Sequence, residues 1–308
     1  MSALVRGVEA GGTRTRLRTA GPQEARDAVV FVHGNPGSAD DWEALVDAAG
    51  AIGARAVAFD LPDFGETVAP PGFEHTVAGY AAFVEATLAA LGIDRVHLVA
   101  HDFGGPIALA WAAARPERLL SATLIDTGVL PGYRWHALAR IWRTPLLGEL
   151  FQASATRPMF RWLVDRGEPR GLPRAFVDQM YDHFDKRTRR AVLKLYRATS
   201  DPGAGARELA ALLAPRDLPA LVIWGEHDGY ISSSFAARQR DLFPRADVHV
   251  LPASGHWPFA DAPETVERLL VAHLVAAGAG GGASGAAETG GAAGAEGASE
   301  RETGASTA

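Results

Sequence analysis

The run Val96-His97-Leu98-Val99-Ala100-His101-Asp102-Phe103-Gly104-Gly105 decides the reading of this chain. Five residues of apolar, β-rich strand, Val96 to Ala100, lead into the pattern small-X-Asp-X-Gly, and a helical stretch, Pro106 to Ala114, follows at once. A strand that turns this sharply into a helix lifts the residue at its tip clear of the sheet. The turn needs small neighbours because the backbone doubles back on itself. The tip residue is Asp102.

A carboxylate is a poor nucleophile for an ester or amide carbonyl, since the product is a reactive anhydride. It suits displacement at a saturated carbon, where the product is an ordinary alkyl ester. With a reference pKa of about 3.9, the side chain is ionised at neutral pH without help from a base. A base is needed afterwards, when water attacks the ester. Epoxide opening or halide expulsion followed by ester hydrolysis fits this order of events. The plain alternative is an aspartate that only caps the following helix.

The composition narrows the rest. A length of 308 residues permits one large α/β domain or two small ones, and 47% hydrophobic residues can build a sizeable core. The net charge of −6, with Arg scattered among Asp and Glu, suggests no nucleic-acid or polyanion partner. Cysteine is absent, which excludes disulfides and thiolate metal sites and fits a reducing cytoplasm. The N-terminus, Met1-Ser2-Ala3-Leu4-Val5-Arg6, lacks the apolar core of a signal peptide, and no uncharged apolar run reaches the ~18 residues of a membrane span. The expected location is the cytoplasm.

Strands are expected at Ala28–Val32, Arg55–Phe59, Val96–Ala100, Ala122–Ile125, Ala220–Trp224 and Val248–Leu251. They alternate with helical patterns, as in a parallel sheet with crossover helices. An antiparallel edge hairpin is expected around Thr13-Arg14-Thr15-Arg16-Leu17, and a last helix at Pro263–Val275. Between residues 129 and 214 the alternation stops, and Pro145, Pro158, Pro169 and Pro173 break helical, Arg-rich and aromatic-rich segments. This reads as a helical lid inserted in a core made of residues 1–128 and 215–277, over the sheet edge where open α/β sheets bind ligands. Residues 278–308 are Gly- and Ala-rich with almost nothing to bury, and are expected to form a disordered tail.

Four further motifs stand where the aspartate would need help: His33-Gly34-Asn35-Pro36, Ser254-Gly255-His256-Trp257-Pro258, Trp224-Gly225-Glu226-His227-Asp228 and Leu195-Tyr196-Arg197-Ala198. Together with the elbow they resemble the α/β-hydrolase family, in the aspartate-nucleophile branch of epoxide hydrolases and haloalkane dehalogenases. The resemblance spans roughly Ala28 to Val275, and its chain order of nucleophile, acid and histidine is the order this fold uses. It implies an α/β-hydrolase fold, a mostly parallel sheet flanked by helices with a helical lid. It also implies an oxyanion hole from the backbone N–H groups of Asn35 and Phe103, aimed at the tetrahedral intermediate of ester hydrolysis. His256 becomes the general base and Asp228 the acid that orients it. Asp126, at the end of the strand after the elbow, is the rival acid, because some dehalogenase relatives carry theirs there.

The lid carries less. Epoxide hydrolases of this fold use lid tyrosines to donate hydrogen bonds to the epoxide oxygen, and Tyr196 matches the second of these. A phenol donates without being charged. The first falls on Leu147, shortly before Phe151-Gln152, so Tyr133 and Tyr181 are its expected substitutes. Trp135, Trp142, Phe151, Phe160 and Trp162 read first as lid core and otherwise as walls of a bulky apolar pocket. Haloalkane dehalogenases usually carry tryptophan after the nucleophile, where this chain has Phe103. Haloacetate dehalogenases carry arginines there, and Phe103, Pro106 and Ile107 offer nothing comparable.

The resulting expectation is a cofactor-free, metal-free hydrolase working through an alkyl-enzyme ester on Asp102, with His256 and Asp228. Epoxide hydrolysis on a bulky apolar substrate comes first, with Tyr196, Trp135 and Tyr181 binding that substrate. Haloalkane-type dehalogenation is the alternative, and a small-molecule-binding protein on a hydrolase scaffold is a third. The expected partner is a small-molecule substrate, with no nucleic acid and no membrane; a homodimer is left open.

Overall fold

The computed structural model describes residues 4–280. Its spine is an eight-stranded sheet in the order β1-β2-β4-β3-β5-β6-β7-β8. The strands are β1 (Leu4–Ala10), β2 (Thr13–Ala20), β3 (Asp27–Val32), β4 (Ala56–Phe59), β5 (Arg95–His101), β6 (Leu119–Ile125), β7 (Ala220–Gly225) and β8 (Asp247–Leu251). β1 and β2 form the expected antiparallel hairpin, β2 joins β4 antiparallel, and every other pairing is parallel. The central strands are apolar without alternation; Val29 to Val32 and Val96 to Ala100 are all buried. That is the pattern of a sheet covered on both faces.

Helices α1 (Glu43–Ala51), α2 (Val77–Ala90) and α3 (Gly104–Ala114) provide the cover, with α11 (Pro263–Ala276) closing against α1 and β7. Thr76 caps α2 by accepting the Gly79 N–H at 3.0 Å, satisfying one of the donors a helix start leaves free. α3 begins two residues earlier than Pro106, because the elbow runs into it without a linker. Every strand expected from the sequence is present, within a few residues at its ends. α11 runs one residue past Val275, and residues 278–280 still form a turn on it, with Ala279 donating to the Leu274 carbonyl at 2.8 Å. The ordered chain therefore outlasts the expected start of the tail, and the rest of that expectation, residues 281–308, lies outside the described residues.

Between β6 and β7 stand the inserted helices α4 (Ala137–Arg143), α5 (Leu147–Ser154), α6 (Arg157–Val164), α7 (Arg174–His183), α8 (Lys186–Ala198) and α9 (Ala206–Leu213), with α10 (Pro258–Asp261) facing them from the core. α8 starts on Asp185, whose carboxylate accepts the Arg187 and Thr188 N–H groups at 2.8 and 2.9 Å. The insertion is tied to the core away from the sheet. Thr188 Oγ1 donates to the Asp63 carbonyl at 2.9 Å, and His183 pairs with Asp40 at 3.2 Å. No helix among the described residues is long and apolar enough to cross a membrane.

The register brings one set of strand ends together. Val32 pairs with Ala100, His101 with Ile125, Ile125 with Ile223, and Gly225 with Leu251. The loops after β3, β5, β6, β7 and β8 therefore leave the sheet at one edge. At the elbow itself, Asp102 has φ 48°, a left-handed conformation that costs an ordinary residue roughly 1–3 kcal/mol. Gly104 is required by close approach, since a Cβ there would lie 2.1 Å from the Val32 carbonyl oxygen. Gly104→Ala should thus push α3 off β3 and lower unfolding stability by about 1–3 kcal/mol, read as a shifted urea midpoint. An unchanged midpoint would show that this packing is loose.

Candidate active site

The elbow points the Asp102 carboxylate at two neighbouring loops. Its Oδ1 accepts the Asn35 backbone N–H at 2.8 Å, and the Phe103 N–H faces the same carboxyl. Thr127 Oγ1 donates to the Asp102 carbonyl and fixes the turn from below. The Asn35 turn is braced by His33, whose Nε2 accepts the Leu61 N–H at 3.0 Å while Nδ1 bonds the Gly34 carbonyl at 2.9 Å. Burial pushes His33 down to about 4, so it stays neutral and can both donate and accept.

His256 lies on the loop after β8, with Nε2 3.6 Å from Asp102 Oδ2 and Nδ1 2.8 Å from Asp228 Oδ2. Asp228 is fixed in turn, because its Oδ1 accepts the Tyr230 and Ile231 N–H groups at 2.7 and 2.9 Å. The His256 carbonyl accepts His101 Nε2–H at 2.7 Å. His101 is pushed down to about 3, by burial first and by the neighbouring His256 second. The three side chains named from the sequence thus meet, with His256 2% and Asp102 8% exposed.

Burial acts against all of these charges, and the neighbours decide the outcome. At His256, burial lowers the pKa, but the Asp228 charge and the hydrogen-bonding carboxylates on either side outweigh it and hold the ring well above the usual histidine range. At Asp102, burial raises the pKa, but His256, His101 and the Phe103 N–H together leave it below the usual carboxylate value. Carboxylate and imidazolium stabilise each other.

Asp126, the rival acid, is fully buried at φ 46° and close to the same histidine. Asp228 holds Nδ1. Asp126 Oδ1 instead accepts the Gly225 N–H at 2.9 Å, and its Oδ2 has no partner among the described residues. Burial and then the Asp228 charge push Asp126 well above the usual carboxylate range. Asp126, Asp228 and His256 bring three ligand atoms within 4.8 Å of one another. The Asp228 oxygens and His256 Nδ1 are already engaged in the bonds above, so a cation there would have to displace them.

In front of Asp102 opens a cavity of about 600 Å³, walled by Phe103, Trp135, Trp142, Phe151, Phe160 and Tyr196 among others. The pocket-wall reading of the aromatic residues thus holds for Trp135, Trp142, Phe151 and Phe160, while Trp162 is 59% exposed and does neither job. Tyr196 packs edge-on to Phe103 at 4.9 Å and lies against Trp135 at 5.1 Å. Burial, and then the nearby Asp102 charge, push its phenol far above the usual value.

Tyr181 does not reach the cavity. Its hydroxyl donates to the Ala155 carbonyl at 3.3 Å and its ring packs on Phe160 behind the wall, so the substrate contact expected of it is corrected. Leu147, where the missing tyrosine was expected, sits half-exposed on the outer face. Tyr133 does line the cavity, with its hydroxyl donating to the Tyr230 carbonyl at 3.0 Å.

Sequence reasoning missed Tyr230 and Glu168. Tyr230 lines the cavity with its ring 4.9 Å from His256 and its hydroxyl donating to the Leu163 carbonyl at 3.2 Å. Its place two residues beyond Asp228 was the one available signal. Glu168, in the insertion, accepts the His256 backbone N–H at 2.7 Å, and nothing in Arg166-Gly167-Glu168-Pro169 announces that contact.

Comparison with known proteins places the fold in a family. A family profile describing the alpha/beta hydrolase fold matches residues 27–263. A 2-hydroxy-6-oxononadienedioate/2-hydroxy-6-oxononatrienedioate hydrolase from Paraburkholderia phymatum is 26% identical over 282 residues, covering 86% of this chain and 92% of its own. The haloalkane dehalogenase DbeA from Bradyrhizobium elkani superposes with a TM-score of 0.76 at 24% identity, over 89% of this chain and 98% of its own. An epoxide hydrolase from Vigna radiata does so at 0.73 and 21%, over 89% and 98%. The resemblance drawn from the motifs is borne out: this chain is a hydrolase of the α/β-hydrolase family.

Proposed function

We propose that this protein is an epoxide hydrolase that works through an aspartyl ester and accepts a bulky apolar substrate beneath a helical lid formed by residues 129–214. The observation that carries the reading is the Asp102 carboxylate itself. Oδ1 is spent on the Asn35 N–H, which leaves Oδ2 toward His256 as the attacking atom.

In the first step Oδ2 attacks a ring carbon, the C–O bond of the epoxide breaks, and the alkoxide takes a proton from the neutral Tyr196 phenol. Once the ester has formed, His256 gives its resting proton through solvent to the Tyr196 phenolate; in the second step water gives a proton to the now neutral His256 and attacks the ester carbonyl. Oδ1, now the carbonyl oxygen, carries the developing charge against the Asn35 and Phe103 N–H groups. The tetrahedral species collapses to the diol and the Asp102 carboxylate, which leaves His256 protonated and Tyr196 neutral, as before turnover.

The charge balance supports this sequence. A histidine held well above its usual range is a poor base, but ester formation removes the Asp102 charge that helps to hold it there. Alkylation therefore switches the imidazole toward the neutral form just when a base is needed.

The wall of the cavity supports an apolar substrate, since no Lys or Arg is among its lining residues. The Paraburkholderia relative is named for a dicarboxylate, and this cavity offers such a molecule no Lys or Arg to pair with.

Carbon–halogen cleavage is the second reading, and one observation favours it beyond the sequence. Trp135 stacks on Phe103 at 6.2 Å with a buried indole N–H that has no partner among the described residues, and the Asn35 side-chain amide likewise has none among them. The insertion thus brings an indole near the position where Phe103 lacks one.

His256→Gln should form the ester and fail to hydrolyse it, so that intact-protein mass spectrometry shows a substrate adduct on Asp102. In single turnover of the parent protein in heavy-oxygen water, label should enter Asp102 first. Label in the first product with none in the protein would overturn the ester.

Loss of the hydrogen bond to the leaving alkoxide costs about 1.5–3 kcal/mol, so Tyr196→Phe should slow diol formation about ten- to a hundredfold. Bromoalkanes should release little bromide. Rapid bromide release that ignores Tyr196→Phe would transfer the assignment to dehalogenation.

Asp228→Asn should slow ester hydrolysis by about 10³-fold or more, as expected when the partner that orients a catalytic histidine is lost. Asp126→Asn keeps an oxygen to accept the Gly225 N–H and should leave turnover within about threefold. The reverse ranking would make Asp126 the acid.

A further inference from the structure

The loop that carries His256 is held by its backbone, and one of the holding groups belongs to the inserted helices. Asp261 accepts the Gly255 N–H at 2.8 Å and also the Ser254 hydroxyl. His101 donates to the His256 carbonyl at 2.7 Å. These contacts come from the core. The fourth, from Glu168 Oε1 to the His256 N–H at 2.7 Å, comes from the turn between α6 and α7.

That turn is wedged between the two loops of the site. A Cβ on Gly255 would meet Glu168 Oε2 at 2.2 Å and the Gly167 carbonyl oxygen at 2.4 Å, so only glycine fits beneath it. A Cβ on Gly167 would lie 3.1 Å from the Gly229 nitrogen, next to Asp228. The same few residues of the insertion therefore rest on the histidine loop and on the acid turn.

We infer that Glu168 is a positioning residue for the second half of the reaction: it couples the seating of the inserted helices to the placement of His256, so that the base is aligned only when the insertion is closed over the site. The inference rests on the aspartyl-ester reading above. Glu168 is 7% exposed, and burial with the adjacent Asp261 carboxylate pushes it up to about 8. As a neutral acid it accepts the His256 N–H without adding a negative charge beside the ring. His256 thus keeps its balance between Asp102 and Asp228.

Because only ester hydrolysis uses His256, removal of Glu168 should separate the two steps. Glu168→Ala should form the ester within about twofold of the parent rate, hydrolyse it roughly ten- to a hundredfold more slowly, and accumulate adduct during turnover. Glu168→Gln keeps the acceptor oxygen and the neutral charge and should restore hydrolysis. If Glu168→Ala does not fold, Glu168→Met fills the same space without an acceptor and is read in the same way.

Equal loss of both steps, unchanged turnover, or failure of Glu168→Gln to rescue would each overturn the inference. His256→Gln is run alongside. Absence of its adduct would overturn the ester reading alone. Glu168 is then judged by the low-field N–H proton signal of the His256–Asp228 bond, which should broaden in Glu168→Ala and return in Glu168→Gln. A signal unmoved by Glu168→Ala would overturn the positioning role.

Discussion

Two ionised carboxylates facing one imidazole, out of reach of bulk water, form the arrangement on which the rest of this structure depends. Removing a charge from water costs several kcal/mol after relaxation, and the attraction of the opposite charge compensates only when the remaining lone pairs are also satisfied. The fold meets that condition with backbone donors. Asn35 serves Asp102, Tyr230 and Ile231 serve Asp228, and the His256 ring lies between them. Asp126, a further buried carboxyl beside them, has a single backbone donor and no cation of its own among the described residues, and burial with the Asp228 charge pushes it up.

This electrostatic design dictates the architecture around it. Backbone N–H groups converge on the carboxylates only because five parallel strands end at one edge, with register pairing Val32 to Ala100 and Gly225 to Leu251. Asp102 and Asp126 both take left-handed backbone at the ends of β5 and β6, where each strand turns away from the sheet. Aspartate tolerates that region better than most side chains do. Histidines at 33 and 101 serve as braces: desolvation keeps them neutral, so each ring can hold a loop of the site by its nitrogens without competing for charge.

The insertion completes the site from the other side. Its aromatic walls keep the cavity apolar, which strengthens every interaction of the buried charges and favours a neutral donor such as the Tyr196 phenol over a cation. The inserted chain is also more than a cover, since Glu168 reaches the backbone of the histidine that the core presents.

How much of this was legible in the sequence follows from the range of the forces involved. Strands such as Val96–Ala100, the elbow around Asp102 and the loops bearing Asn35, Asp228 and His256 are local, set by apolar runs and by small residues at tight turns, and they could be read residue by residue. The ranking of Asp228 over Asp126 was legible only through resemblance, because both follow a strand and both are aspartates. Bond geometry separates them: Asp228 Oδ2 reaches His256 Nδ1, while Asp126 turns to Gly225. The insertion was the least legible part. Tyr181 and Tyr196 both stand on amphipathic helices of the insertion, yet helix packing turns one behind Phe160 and the other against Phe103. By itself the sequence determined the fold class, the elbow and the identity of the carboxylate at its tip, since these rest on neighbours a few residues apart. Only the tertiary structure decided which acid bonds the histidine, which aromatics face the cavity and that Glu168 holds the His256 backbone, because those depend on contacts such as the ones 28 and 88 residues apart at His256, whose direction no local pattern encodes.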